Sequence, residues 1–245
     1  GFNRAYKNYL SAFKHSDKFD RQLDEINRKY KVDVERSLLH WMINEIALVK
    51  TESYSGTHES EKTFAIFKSS NIETATKSLN ELAKAISKVE EEPITSLYYK
   101  DYLISQLHLP SVLTTVFGTT FSHVTQNYYC AIEDYIVFSN STEELSFFID
   151  AYEKNDVLSN NEQYVTFSEN IAEEASVFVY SNISRSAKLY KQLLNKKLNG
   201  KIDNNMELMS KFNGFAIQFT AGEDLYYSNS YINYKIVNDI NDVYN

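Results

Sequence analysis

Apolar positions recur at helical spacing through the first fifty residues. Phe2, Tyr6, Tyr9, Leu10 and Phe13 form one stripe, and Phe19, Leu23, Ile26 and Tyr30 a second. Residues 34–50 hold Leu38, Leu39, Trp41, Met42, Ile43, Ile46 and Val49. Being apolar almost all round, they predict a third helix, sandwiched in a core. Residues 51–62 are polar and predict a loop.

The pattern then changes period. TFAIFK (63–68) predicts a short buried strand, and Ser69-Ser70-Asn71 caps a helix carrying Ile72, Ala75, Leu79, Leu82, Ala83 and Ile86. Glu90-Glu91-Glu92-Pro93 ends that helix. A hairpin, SLYY-KD-YLISQL, precedes a short helix over 110–117 that opens on Pro110. Residues 127–152 read as strand, tight turn at Glu133-Asp134, strand and helix. Both faces of this hairpin are apolar: Cys130, Ile132, Tyr135 and Val137 on one, Tyr129, Ala131, Ile136 and Phe138 on the other. Such a pair belongs in the middle of a sheet covered on both sides. Ser141 and Glu144 form a capping box at the helix that follows.

Residues 153–175 are polar and predict an irregular joint. ASVFVYS (175–181) is a further strand, and 184–212 a long helical stretch broken near Asn199-Gly200. A closing hairpin spans 214–236. With Ala221–Asp224 as its loop, Phe219 faces Tyr226 and Ile217 faces Ser228. Phe215, Ile217, Phe219, Ile232, Tyr234 and Ile236 then share the inner face, and Tyr227, Asn229, Tyr231 and Asn233 the outer one.

These elements predict an α+β fold: antiparallel sheets of hairpins packed with helices, and an N-terminal helical segment. The divisions expected are 1–62 (helical), 63–155 (first α+β module with the central hairpin) and 156–245 (second module), packed as one unit. Strand, helix and hairpin follow one another in 63–107 and again in 175–236. Two βαββ modules from an internal duplication, or two chance occurrences of a common unit, both fit that order.

Composition narrows the function classes. The 245 residues carry a net charge of −8, with a pI near 5.2, which disfavours nucleic acid and anionic lipid as partners. A single cysteine excludes an internal disulfide. The sequence has no apolar run long enough to span a bilayer. Gly1-Phe2 lacks an initiator Met, and the last strand pattern stops just before the end, so the chain reads as part of a longer protein.

Candidate chemistry is sparse. His15, His40, His58, His108 and His123 show no ligand spacing, so neither metal nor cofactor is expected. Cys130, mid-strand, reads as a buried small hydrophobe rather than a nucleophile. The acidic runs at Glu90–Glu92, Glu143-Glu144 and Glu173-Glu174 sit at helix ends and in a loop, where solvation and the helix dipole explain them. No catalytic residue is assigned. The binding candidates are Tyr227, Asn229, Tyr231 and Asn233, alternating aromatic and amide, a surface suited to protein or glycan.

HWMINEIALVKTE (40–52), FAIFKSSNIETATKSLNELA (64–83), the stretch from YYCAIEDYIVF to YVTF (128–167) and GFAIQFTAGEDLYYSNSYINY (214–234) follow one order. In it the chain resembles an uncharacterised family of secreted lipoproteins of Gram-negative gut-type bacteria. The resemblance implies a region between a lipidated N-terminus and a C-terminal propeller-like repeat region, and brings no catalytic residues. The function expected is a non-catalytic, extracytoplasmic scaffold or binding region of an envelope lipoprotein. A carbohydrate-active or carbohydrate-binding module, and a peptide-binding or envelope-biogenesis factor, are the alternatives. Opposed carboxylates across a tyrosine-lined cleft would mark the first of these, a bare edge strand near Tyr231 the second.

Overall fold

The computed structural model describes residues 17–55, 58–186, 189–190, 200, 202, 204–221 and 226–234. The expected stripe from Phe2 to Phe13, His15, much of the helical stretch 184–212, residues 222–225 and Ile236 lie outside them, as does the side chain of His58. The chain divides into two compact units, Gly1–Asp150 and Ala151–Asn245.

The first unit is built on a six-stranded antiparallel sheet. Its strands are β1 (Met42–Ser55), β2 (His58–Ser69), β3 (Ser96–Tyr99), β4 (Tyr102–Gln106), β5 (Tyr128–Ile132) and β6 (Tyr135–Ser139), in the spatial order β1-β2-β6-β5-β4-β3. The hairpin that is apolar on both faces therefore supplies the two central strands. Helices α1 (Asp17–Tyr30), α2 (Val34–Leu39), α3 (Ile72–Glu90) and α4 (Val112–Phe117) contribute to one core with the face that carries Ala65, Phe67, Ile136 and Phe138. Phe67 centres that core, its ring 5.0 Å from Phe117 and 5.7 Å from both Phe121 and Phe138.

The opposite face meets α5 (Thr142–Glu153), where Phe148 lies 5.0 Å from Phe64 and Leu145 and Ile149 are buried. The start of α5 departs slightly from a reciprocal capping box. Ser141 Oγ accepts the Glu144 N–H at 3.1 Å, but the Glu144 carboxylate turns back to Ser139 Oγ and the Asn140 N–H. Helix α3 begins as its sequence predicts, with Asn71 Oδ1 accepting the Thr74 N–H at 2.8 Å. It ends on Glu91 in the left-handed region, at φ 56°.

Two expectations about residues 1–62 are overturned. Residues 34–50 are not one helix, because the helix stops at Leu39 and β1 runs from Met42. At the switch, the Trp41 indole still donates back to Ser37 O at 2.9 Å, while Trp41 O accepts the Ser70 N–H from beyond β2. The residues that follow include β-branched Ile43, Ile46 and Val49, and pairing with β2 outweighs their helical spacing. The predicted polar loop at 51–62 instead holds the end of β1 and the start of β2, paired as far as Ser55 and His58.

The second unit contains a three-stranded antiparallel sheet, β7 (Val177–Asn182), β8 (Phe212–Ala221) and β9 (Tyr226–Tyr234), in that order. It also contains α6 (Glu162–Ser168), within the stretch expected to be irregular, and α7 (Met206–Ser210). Strand, helix and hairpin do recur in both units, but the pairings differ. β2 pairs with β6, whereas β7 pairs directly with β8.

Candidate interaction surface

The register of β8 and β9 sets which side chains share a face. Phe219 stands opposite Ser228, Ile217 opposite Ser230 and Phe215 opposite Ile232. This is two residues away from the register expected with Ala221–Asp224 as the loop, and Ala221 itself pairs with Tyr226. An even offset keeps every side chain on its predicted face. Phe215, Ile217, Phe219 and Ile232 therefore lie together, joined by Val177 and Val179 of β7 opposite Phe219 and Ile217.

That shared face is not the buried one. Val177 is 53% exposed, Val179 48%, Phe219 42%, Ile232 51% and Tyr234 54%. The opposite face meets α6. Phe167, 1% exposed, lies 5.2 Å from the Tyr180 ring and 4.9 Å from that of Tyr231, and Tyr164 lies 4.8 Å from Tyr180. Buried Gln218 exchanges two hydrogen bonds with the backbone of Ala172, at 2.9 and 2.7 Å. The reason for the reversal is small side chains. Gly214 and Ala216 open room for the Phe167 ring, and a Cβ on Gly214 would stand 2.9 Å from two of its carbons. Hydrophobicity marked the wrong face; the signal for the right one was Gly214 and Ala216 in alternation.

The four binding candidates are thereby separated. Tyr227 is 61% exposed, and Asn229 is also exposed, its amide 3.4 Å from Gln218 Oε1. Tyr231 is half-buried against Phe167, and Asn233 Oδ1 accepts the Gly214 N–H at 2.8 Å. Among the described residues β9 has β8 on one side and no strand on the other.

The reactive side chains are occupied structurally. Cys130 is fully buried opposite Val137, and burial pushes its thiol up to about 12. Burial likewise raises the Tyr129 hydroxyl to about 12, and this hydroxyl donates to Asn80 Oδ1 at 3.0 Å. Hydrogen bonds from Lys29 and then Tyr30 hold the Glu90 carboxyl below its ordinary range, and so join the ends of α1 and α3. Glu143 is also held down, first by its own backbone N–H at the start of α5 and then by Ser141. His40 is exposed, with Nδ1 2.9 Å from Arg36 O, and His108 Nε2 lies 3.0 Å from Thr95 Oγ1. Among the described residues no three His, Cys, Asp or Glu side chains converge as metal ligands, and no helix is long and apolar enough to cross a membrane.

A family model described as "Protein of unknown function (DUF3352)" matches residues 5–224. The chain belongs to this family. The match runs from α1 through β8 and so covers the first unit almost entirely and the second as far as β8. No curated protein and no solved structure matches it.

Proposed function

We propose that this chain is a non-catalytic scaffold or binding region of a larger, lipid-anchored envelope lipoprotein, held outside the cytoplasm. Its partner in this reading is protein, engaged by the open face of the β7–β9 sheet. The observation that carries the reading is that face, on which Val177, Val179, Phe219, Ile232 and Tyr234 are each about half exposed. Contiguous apolar surface of this kind marks interaction sites on folded proteins. The resemblance to secreted lipoproteins supports the location.

A second reading, peptide binding by strand addition, draws on the uncovered side of β9 among the described residues.

Thiol labelling tests the first reading, because the native Cys130 is buried and silent. Tyr227→Cys in cells should react with a maleimide that does not cross the inner membrane. Ile232→Cys should react fast in the purified chain diluted well below the micromolar range and slowly in those cells. Equal rates for Ile232→Cys in both settings would remove the binding face. Labelling of Tyr227→Cys only after lysis would remove the location.

A further inference from the structure

We infer that the open face of the β7–β9 sheet is covered by the same face of a second copy of this chain, the two sheets stacked across a two-fold axis. The inference deepens the binding reading above and rests on it.

The first ground is charge. A two-fold interface sets one patch against itself, so any charge near its centre meets its like. Val177, Val179, Ile217, Phe219, Ile232 and Tyr234 share this face with Ser228 and Ser230, and none of these carries charge in a chain of net charge −8. A different protein would be selected by complementary charge, and the described residues of this face offer no such code.

The second ground is area. With about 150–250 Å² on a large side chain, the exposed fractions leave roughly 500 Å² of apolar surface per copy. Two copies together bury about 1,000 Å², the lower bound for a specific interface. Aligned sheet-on-sheet packing, about 10 Å apart, suits two such flat apolar faces. The dimer is accordingly weak, and it tightens with salt because screening relieves the repulsion of two acidic chains.

Sedimentation velocity of the purified chain through the micromolar range tests this. The wild type should shift from monomer to dimer, more readily at higher salt. Val179→Asp and Ser230→Arg, both at exposed positions, should each weaken the dimer at least about tenfold while keeping the wild-type circular dichroism spectrum. Using two variants separates a dimerisation defect from a folding one. A dimer that survives both substitutions overturns the inference, as does a wild type that stays monomeric. A monomer whose Ile232→Cys thiol is still protected in cells overturns the second copy alone and leaves the binding reading intact. A monomer with that thiol unprotected overturns both.

Discussion

Cys130 shows how one side chain's chemistry follows from its strand. It pairs with Val137 in the two central strands, where burial leaves the thiol no solvent for its anion. The raised pKa makes stability depend on alkali. The unfolded thiol titrates near 9.0 and the folded one near 12, so the unfolded chain binds fewer protons between those values. Stability should be intact below about pH 9 and fall as pH rises toward 12, at up to about 1.4 kcal/mol per pH unit from this group. Denaturant titrations of wild type and Cys130→Ala at pH 7 and 10 check this, with a smaller loss expected in the variant. Cys130→Ser should cost about 1–3 kcal/mol, because its hydroxyl exchanges water for an apolar site. Gly214 is a second case. A methyl there meets Phe167 at 2.9 Å and Tyr180 at 3.1 Å, so Gly214→Ala should destabilise by about 1–3 kcal/mol through overpacking. An unchanged melting curve would contradict the close approach.

Among the elements, those legible from sequence carried their own local signals. Asn71 and Ser141 marked helix starts, and Lys100-Asp101 and Glu133-Asp134 marked turns whose first residue has positive φ. Residues 42–55 were not legible as β1, because an apolar run fits a buried helix and a strand equally until its partner is known. Helix α6 was missed since only Tyr164, Val165 and Phe167 are apolar in its seven residues. Yet Phe167 decides which face of the second sheet is inside, and so the candidate surface came out reversed. That reversal has a measurable sign. Phe167→Ala should cost about 3–5 kcal/mol, whereas Ile232→Ser, at a half-exposed position, should cost only about 1 kcal/mol. Chemical denaturation of the two variants at a concentration where the chain is monomeric gives the comparison. A neutral Phe167→Ala beside an unfolded Ile232→Ser would return the sheet to the orientation its hydrophobicity implies.

At the scale of the whole molecule, the two units rest on different kinds of core. The first is a broad one, in which Phe67, Phe117, Phe121 and Phe138 join buried aliphatic side chains from α1, α2, α3 and α4. The second gathers Tyr164, Phe167, Tyr180 and Tyr231 on one face of three strands, while on the other Val177, Val179, Phe219, Ile232 and Tyr234 stay about half exposed. A sheet with one face half exposed buries less apolar surface per strand, so its local opening costs less than that of β5 and β6, which are covered on both faces. Native-state hydrogen exchange should therefore place β7, β8 and β9 in a less protected class than β5 and β6. Substitutions provide the sharper test. Phe167→Ala should speed exchange in β7–β9 and leave β5 and β6 near their wild-type rates, while Phe67→Ala should act first on β2, β5 and β6. If both substitutions speed exchange equally in all nine strands, the chain opens as a single cooperative body and the two cores are not separately stable.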